Sequence, residues 1–196
     1  MEKPLERELH DLAETLSWAD VMNYAHNPSA LKIPNLILRL ERVRASHGHF
    51  VRLSQDEGIS VYGVTTGFGD NARRSLPLES QNLLQRNLLN YLDCAIGDQA
   101  DAISARATLL CRTLSLLQGY SAVSSELVRY LLEFLSNGYA PVIPLDGSLG
   151  ASGDLIPLAS IGQALCGEGE CYDAGGARIP SSQVLQKLNL KPFEFR

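Results

Sequence analysis

The sequence predicts a mainly α-helical protein interrupted by two glycine-rich loops. Three observations lead there. Leucines recur at helical spacing through three consecutive stretches, 79–97, 100–119 and 124–137. β-Branched residues concentrate in a single short segment, 59–70. Glycines crowd into 63–69 and 147–153, where helices do not want them.

In chain order, residues 1–26 are polar with one amphipathic segment, and Ser17 ahead of Trp18-Ala19-Asp20-Val21 reads as an N-cap and first turn. Pro34 precedes 35–49, where Leu36, Leu40 and Val43 share one face and charges cover the other, the pattern of a surface helix. Ile59 to Asp70 reads as a short extended piece entering a loop with unusual backbone angles. Of the three leucine-rich helices, the second is apolar around much of its circumference and belongs inside a bundle. Gly97, Gly119 and Gly138 stand where glycine caps are expected. Residues 139–153 read as a Pro/Gly loop, 155–166 as a short helix, and 167–196 as loop with one weak helical piece at 183–188.

A chain of 196 residues with 45% hydrophobic and 20% charged residues can bury a core and is not disordered by composition. It is expected to form one domain over 1–196. The net charge of −5 and the lack of a basic stripe argue against nucleic acid. No apolar run is long enough to span a membrane and no signal peptide opens the chain, so a soluble, cytoplasmic protein is expected, with no membrane partner. Cys94, Cys111, Cys166 and Cys171 form no close CxxC pair, and they read as reduced, structural thiols rather than metal ligands.

Glycine-rich loops between long apolar helices cost entropy and add no packing, so function is sought in them. In Gly150-Ala151-Ser152-Gly153-Asp154-Leu155, a serine sits between two small residues just ahead of a helix. One reading is an ordinary N-capping turn by Ser152 or Asp154. The other is chemical. In a tightly bent chain the Gly153 nitrogen attacks the Ala151 carbonyl, and loss of water from the ring and of the Ser152 hydroxyl leaves a conjugated methylidene-imidazolone. A helix starting at Leu155 points its positive end toward charge developing there. Tyr62 opens the other loop; most tyrosines are half-buried packing residues, but a phenol beside an electrophile is also placed to take a weakly acidic proton.

The residues Tyr62-Gly63-Val64-Thr65-Thr66-Gly67-Phe68-Gly69, Leu84-Gln85-Arg86-Asn87-Leu88-Leu89 and Gly150 to Leu158, in this order, resemble the aromatic amino acid ammonia-lyase and aminomutase family from about Leu16 to the end of the chain. The resemblance implies the N-terminal half of a fumarase/aspartase-like superfamily fold. It also implies an enzyme that eliminates ammonia from an L-aromatic amino acid to give a trans-arylacrylate. Ala151, Ser152 and Gly153 then cyclise to the 4-methylidene-imidazol-5-one (MIO) electrophile, without a metal. Tyr62 removes the β-proton, Asp154 assists ring formation, and Gly63, Gly67, Phe68 and Gly69 belong to a lid.

The pair that tunes substrate in the family corresponds to Tyr91 and Leu92. An aromatic first and an aliphatic second residue suit phenylalanine. The Tyr91 hydroxyl keeps tyrosine open, and histidine fits least, a point to which Ser160 adds by departing from the histidine common after the triad in histidine lyases. Family chains are more than twice as long. They continue into an asparagine-bearing segment, an arginine that clamps the substrate carboxylate and a long helical bundle, and no arginine here corresponds to the clamp. A complementary C-terminal lyase polypeptide, or the remainder of a longer chain, is therefore the expected partner in a tetrameric assembly whose sites several chains build. The uncovered apolar faces of the helices at 79–137 are expected to meet that missing part. An aminomutase and a non-catalytic scaffold half are the alternatives.

Overall fold

The computed structural model of the chain describes residues 16–54, 59–147, 153 and 155–195. Seven α-helices lie among these residues: α1 (Trp18–His26), α2 (Leu36–Ser54), α3 (Leu78–Leu92), α4 (Ala102–Leu116), α5 (Ser125–Ser136), α6 (Leu155–Leu165) and α7 (Ser181–Lys187). Five short strands accompany them: β1 (Ile96–Gln99), β2 (Ala140–Pro141), β3 (Pro144–Asp146), β4 (Glu170–Tyr172) and β5 (Arg178–Pro180). No helix among the described residues is long and apolar enough to cross a membrane.

Three of the helices start at side-chain caps. Ser17 and Asp20 form a reciprocal capping box at α1: the Ser17 hydroxyl accepts the Asp20 N–H, and the Asp20 carboxylate accepts the Ser17 N–H at 2.8 Å. That carboxylate is held below the usual range by its bonds to Ser17. Asp101 caps α4 by accepting the Ser104 N–H at 2.7 Å, and Ser124 caps α5 through Leu127. α5 ends as its sequence promises. Gly138 takes a left-handed φ of 74°, its N–H reaches Leu135 O, and the Tyr139 N–H reaches back to Phe134 O at 2.9 Å.

α4 and α5 form the centre. Leu109, Leu110 and Leu116 of α4 pack with Val21 and Tyr24 of α1, Leu131, Phe134 and Leu135 of α5, and Ile161 and Leu165 of α6. α2 docks on a smaller cluster, Val43 against Leu117 and Val128. Arg106 stands in the main core, 4% exposed, and its guanidinium donates to four main-chain carbonyls. Nε donates to Gly138 O, Nη1 to Ala25 O, and Nη2 to Asp173 O and Ala174 O. The buried Tyr24 hydroxyl donates to Leu135 O at 2.9 Å.

The strands depart from the sequence reading. α3 stops at Leu92 with Asp93 as its C-cap, so Gly97 is not a helix cap. It lies in β1, which pairs antiparallel with β3 inside the segment expected to be loop. β2, β4 and β5 form a second antiparallel sheet in the order β2–β4–β5, where 167–196 reads as mostly loop. These strands are too short to carry a hydrophobic period, and their pairing comes from tertiary context. Residues 190–195 strap the core shut. The Phe193 N–H donates to Leu165 O at 2.9 Å, its ring sits edge-on to Tyr130 and Phe195, and the Tyr130 hydroxyl donates to Lys191 O.

α3 is poorly covered. Among its described side chains none is fully buried, and Leu83 and Tyr91 are 59% and 60% exposed. Ile96 of β1 and Leu145 of β3 extend the same bare apolar character. The expectation of uncovered faces on the helices at 79–137 therefore narrows to α3, because α4 and α5 bury their apolar faces within this chain.

Candidate active site

The loop that carries Tyr62 is knitted by its own threonines. The Thr65 hydroxyl accepts the Val61 N–H at 2.8 Å, and the Thr66 hydroxyl, itself buried, accepts the Gly63 N–H at 3.3 Å. Such side-chain caps explain why β-branched residues stand here without forming a regular strand. An isolated antiparallel bridge between Thr66 and Ser75 ties the loop to the chain that follows, with the Leu76 N–H on Thr65 O at 2.8 Å.

Tyr62 projects from this frame, 62% exposed. Its phenol oxygen accepts the Gly69 N–H at 3.0 Å, and its ring meets Phe68 edge-on at 5.9 Å. Among the described residues, both contacts stay inside the loop. Gly63 has a φ of +72°, and a side chain there would strike the Phe68 ring. Gly67 lies equally close to Asn71. Gly63 and Gly67, two of the glycines expected of a lid, thus have a packing reason, whereas Gly69 is kept by its φ of +55°.

α6 also packs against α3. Leu89 of α3 packs against Gly162, where a β-carbon would come within 2.9 Å of the leucine, and Gln163 Nε2 donates to Leu89 O at 3.3 Å. Arg86 pairs with Glu168 just beyond α6. The chain leaves β3 at Gly147, which sits against Ile156 and Ala95, and returns as α6 at Leu155. The ends of the triad-bearing segment therefore touch. Gly153 has a φ of +89°, meets none of the described residues within 4 Å of where a β-carbon would stand, and accepts the Leu155 N–H at its carbonyl at 3.1 Å. Ala151, Ser152 and Asp154 lie outside the described residues. Tyr91 and Leu92 end α3, the first exposed and the second half-buried. The Ser160 hydroxyl turns back onto Ile156 O within α6.

Burial pushes the Cys171 thiol up to about 11, although its contact with the Ser181 hydroxyl opposes this, and burial also raises Cys166. Cys94 and Cys111 are exposed and unbridged.

The sequence pattern of the family described as aromatic amino acid lyase matches residues 16–196. The chain belongs to this family. A histidine ammonia-lyase of Bacillus velezensis is 42% identical over 153 residues, covering 78% of this chain and 30% of the relative. In solved structures, a phenylalanine aminomutase of Pantoea agglomerans superposes with a TM-score of 0.82 at 29% identity, over 93% of this chain and 34% of that one. A tyrosine aminomutase from Streptomyces globisporus gives 0.82 at 30% identity, over 95% and 34%. The fold is therefore the mainly helical, fumarase/aspartase-like fold of these lyases, and the chain spans about 30% of the length of the curated relatives it matches. Sequence reasoning missed Gln85 as a partner of the tyrosine loop. Its place in the second quoted motif was the signal.

Proposed function

We propose that this chain is the part of an aromatic amino acid ammonia-lyase that carries the base and the electrophile. The observation that carries the reading is the family match over 16–196, together with an exposed Tyr62 on a braced loop and a left-handed Gly153 at the head of α6. That conformation of Gly153 fits the Ala151-Ser152-Gly153 ring, which needs a residue without a β-carbon at the attacking nitrogen. When formed, the MIO group supplies an electrophile for the substrate. Tyr62 takes the β-proton at its phenol oxygen, whose place the Gly69 N–H fixes. The N-terminal end of α6 favours negative charge developing beside Gly153.

L-Phenylalanine or L-tyrosine is the proposed substrate, because Tyr91 and Leu92 offer an aromatic and an aliphatic surface. The relative from Bacillus velezensis, named a histidine ammonia-lyase, favours histidine as a second reading. The two aminomutase structures favour a mutase, which returns ammonia to the β-carbon. The carboxylate clamp and the cover for the bare face of α3 are assigned to a complementary C-terminal lyase part within a tetramer. That occupant matches the roughly two-thirds of the relatives' length that this chain does not span.

The test is the intact mass of the chain as isolated with any co-purifying polypeptide, followed by turnover of phenylalanine, tyrosine and histidine. The expected result is a mass lower by two waters, absent in Ser152→Ala, and release of an arylacrylate that Tyr62→Phe abolishes. A β-amino acid product assigns the mutase, and urocanate assigns histidine. An unmodified mass with no turnover by the complex refutes the lyase reading in favour of a scaffold.

A further inference from the structure

We propose that Gln85 is the positioning residue that sets Tyr62 relative to α6. The proposal rests on the reading of Tyr62 as the base. Gln85 lies mid-way along α3, half-buried, and its Nε2 donates to the carbonyl of Gly63 at 2.8 Å across 22 residues of sequence. Gly63 follows Tyr62 directly, so the amide grips the chain one residue from the base. The Gly63 N–H is held from within the loop by the Thr66 hydroxyl, and its C=O is held from outside by Gln85. Clamping both polar groups of one residue whose φ is +72° leaves the backbone beside Tyr62 little freedom to swing.

α3 is at the same time fastened to α6. One helical turn beyond Gln85, about 6 Å along the axis, Leu89 packs on Gly162 and accepts from Gln163. Gln85 and Arg86 are adjacent, so their side chains diverge around the helix. One reaches the tyrosine loop and the other reaches Glu168 past the end of α6. α3 thus works as a bracket between the tyrosine loop and α6, and Gln85 is its hydrogen bond to the loop. The main-chain carbonyl of Gly63 needs a side-chain N–H donor of this length. A carboxylate of the same shape offers that carbonyl no N–H.

The test uses the full chain with Gln85→Glu and Gln85→Met, two donor-free replacements of similar length. The Tyr62 resonance is followed by 19F NMR in protein labelled with 3-fluorotyrosine and assigned by its loss in Tyr62→Phe. Amide exchange is followed at Gly67 and Gly69. Both variants are expected to move the Tyr62 resonance and to speed loop exchange about fivefold, the opening that one hydrogen bond ordinarily suppresses. Amides of Leu109 and Leu131 in the core are expected to keep their rates. An unmoved Tyr62 resonance with unchanged loop exchange in either variant overturns the proposal, as does a matching acceleration in the core, which marks a general loss of stability. Neither readout depends on turnover. Failure of the lyase assay in wild-type protein therefore leaves this result standing, and failure here leaves the lyase assay untouched.

Discussion

Replacing Arg106 with methionine removes a buried group that touches three separate parts of the fold. Its donors satisfy Ala25 O at the end of α1, Gly138 O at the end of α5, and Asp173 O and Ala174 O beyond β4. Each hydrogen bond to a charged group contributes about 1.5–3 kcal/mol, so the gross loss over four carbonyls is large. Methionine fills much of the same volume and relieves the cost of burying a guanidinium, which is several kcal/mol. The net destabilisation expected is ~3–5 kcal/mol, a large share of the ~5–15 kcal/mol that holds a domain together. Urea unfolding followed by far-UV circular dichroism measures it, with the m-value checked for two-state behaviour. Arg106→Lys is expected to fall between wild type and Arg106→Met, because one ammonium cannot span four carbonyls around it. A loss below ~1 kcal/mol for Arg106→Met at unchanged m-value refutes the claim that these bonds tie the elements together.

Two further outcomes concern pH and capping. The folded Cys171 thiol keeps its proton up to about 11 because it is buried, whereas the unfolded thiol loses its proton near its ordinary 9.0. Stability from this group is complete below pH 9 and lost as pH rises from 9 to 11, with a ceiling of ~3 kcal/mol. Burial raises Tyr24 as well, which extends the loss above its ordinary 10.0. Melts across this range are expected to show the decline, and Cys171→Ala is expected to flatten its first part. Ser17→Ala removes the capping box of α1. It is expected to cost ~1 kcal/mol, a drop of ~2–4 °C in the thermal midpoint; an unchanged midpoint assigns the start of α1 to packing alone.

Much of the helical order was legible because its signals are local. Leu110 and Leu117 recur with the helical period and are buried, Ser17 has Asp20 three residues on, and Gly138 closes α5 in the conformation that glycine favours. The strands were not legible. Ile96-Gly97-Asp98-Gln99 holds a single strong strand former, and its pairing with Pro144-Leu145-Asp146 is decided by elements far apart in sequence. Gly97 reads as a helix stop, yet α3 ends earlier, at Asp93. In the candidate site, Tyr62 and Gly153 stood out through the composition of their loops. The links made by Gln85 and Arg106 did not, because their partners are main-chain carbonyls, which every residue carries and no sequence marks.

The strap at residues 190–195 bears on how the protein is made. Tyr130 and Leu165 meet their partners Lys191 and Phe193 only after 61 and 28 further residues, respectively, have been synthesised. On a ribosome adding about 5–20 residues per second, α5 and α6 emerge seconds before the segment that seals them. The growing chain therefore presents a greasy, half-built surface to the cell during that interval. Variants that weaken the strap are expected to reveal themselves first as poor yield and chaperone association, before any defect in the finished protein.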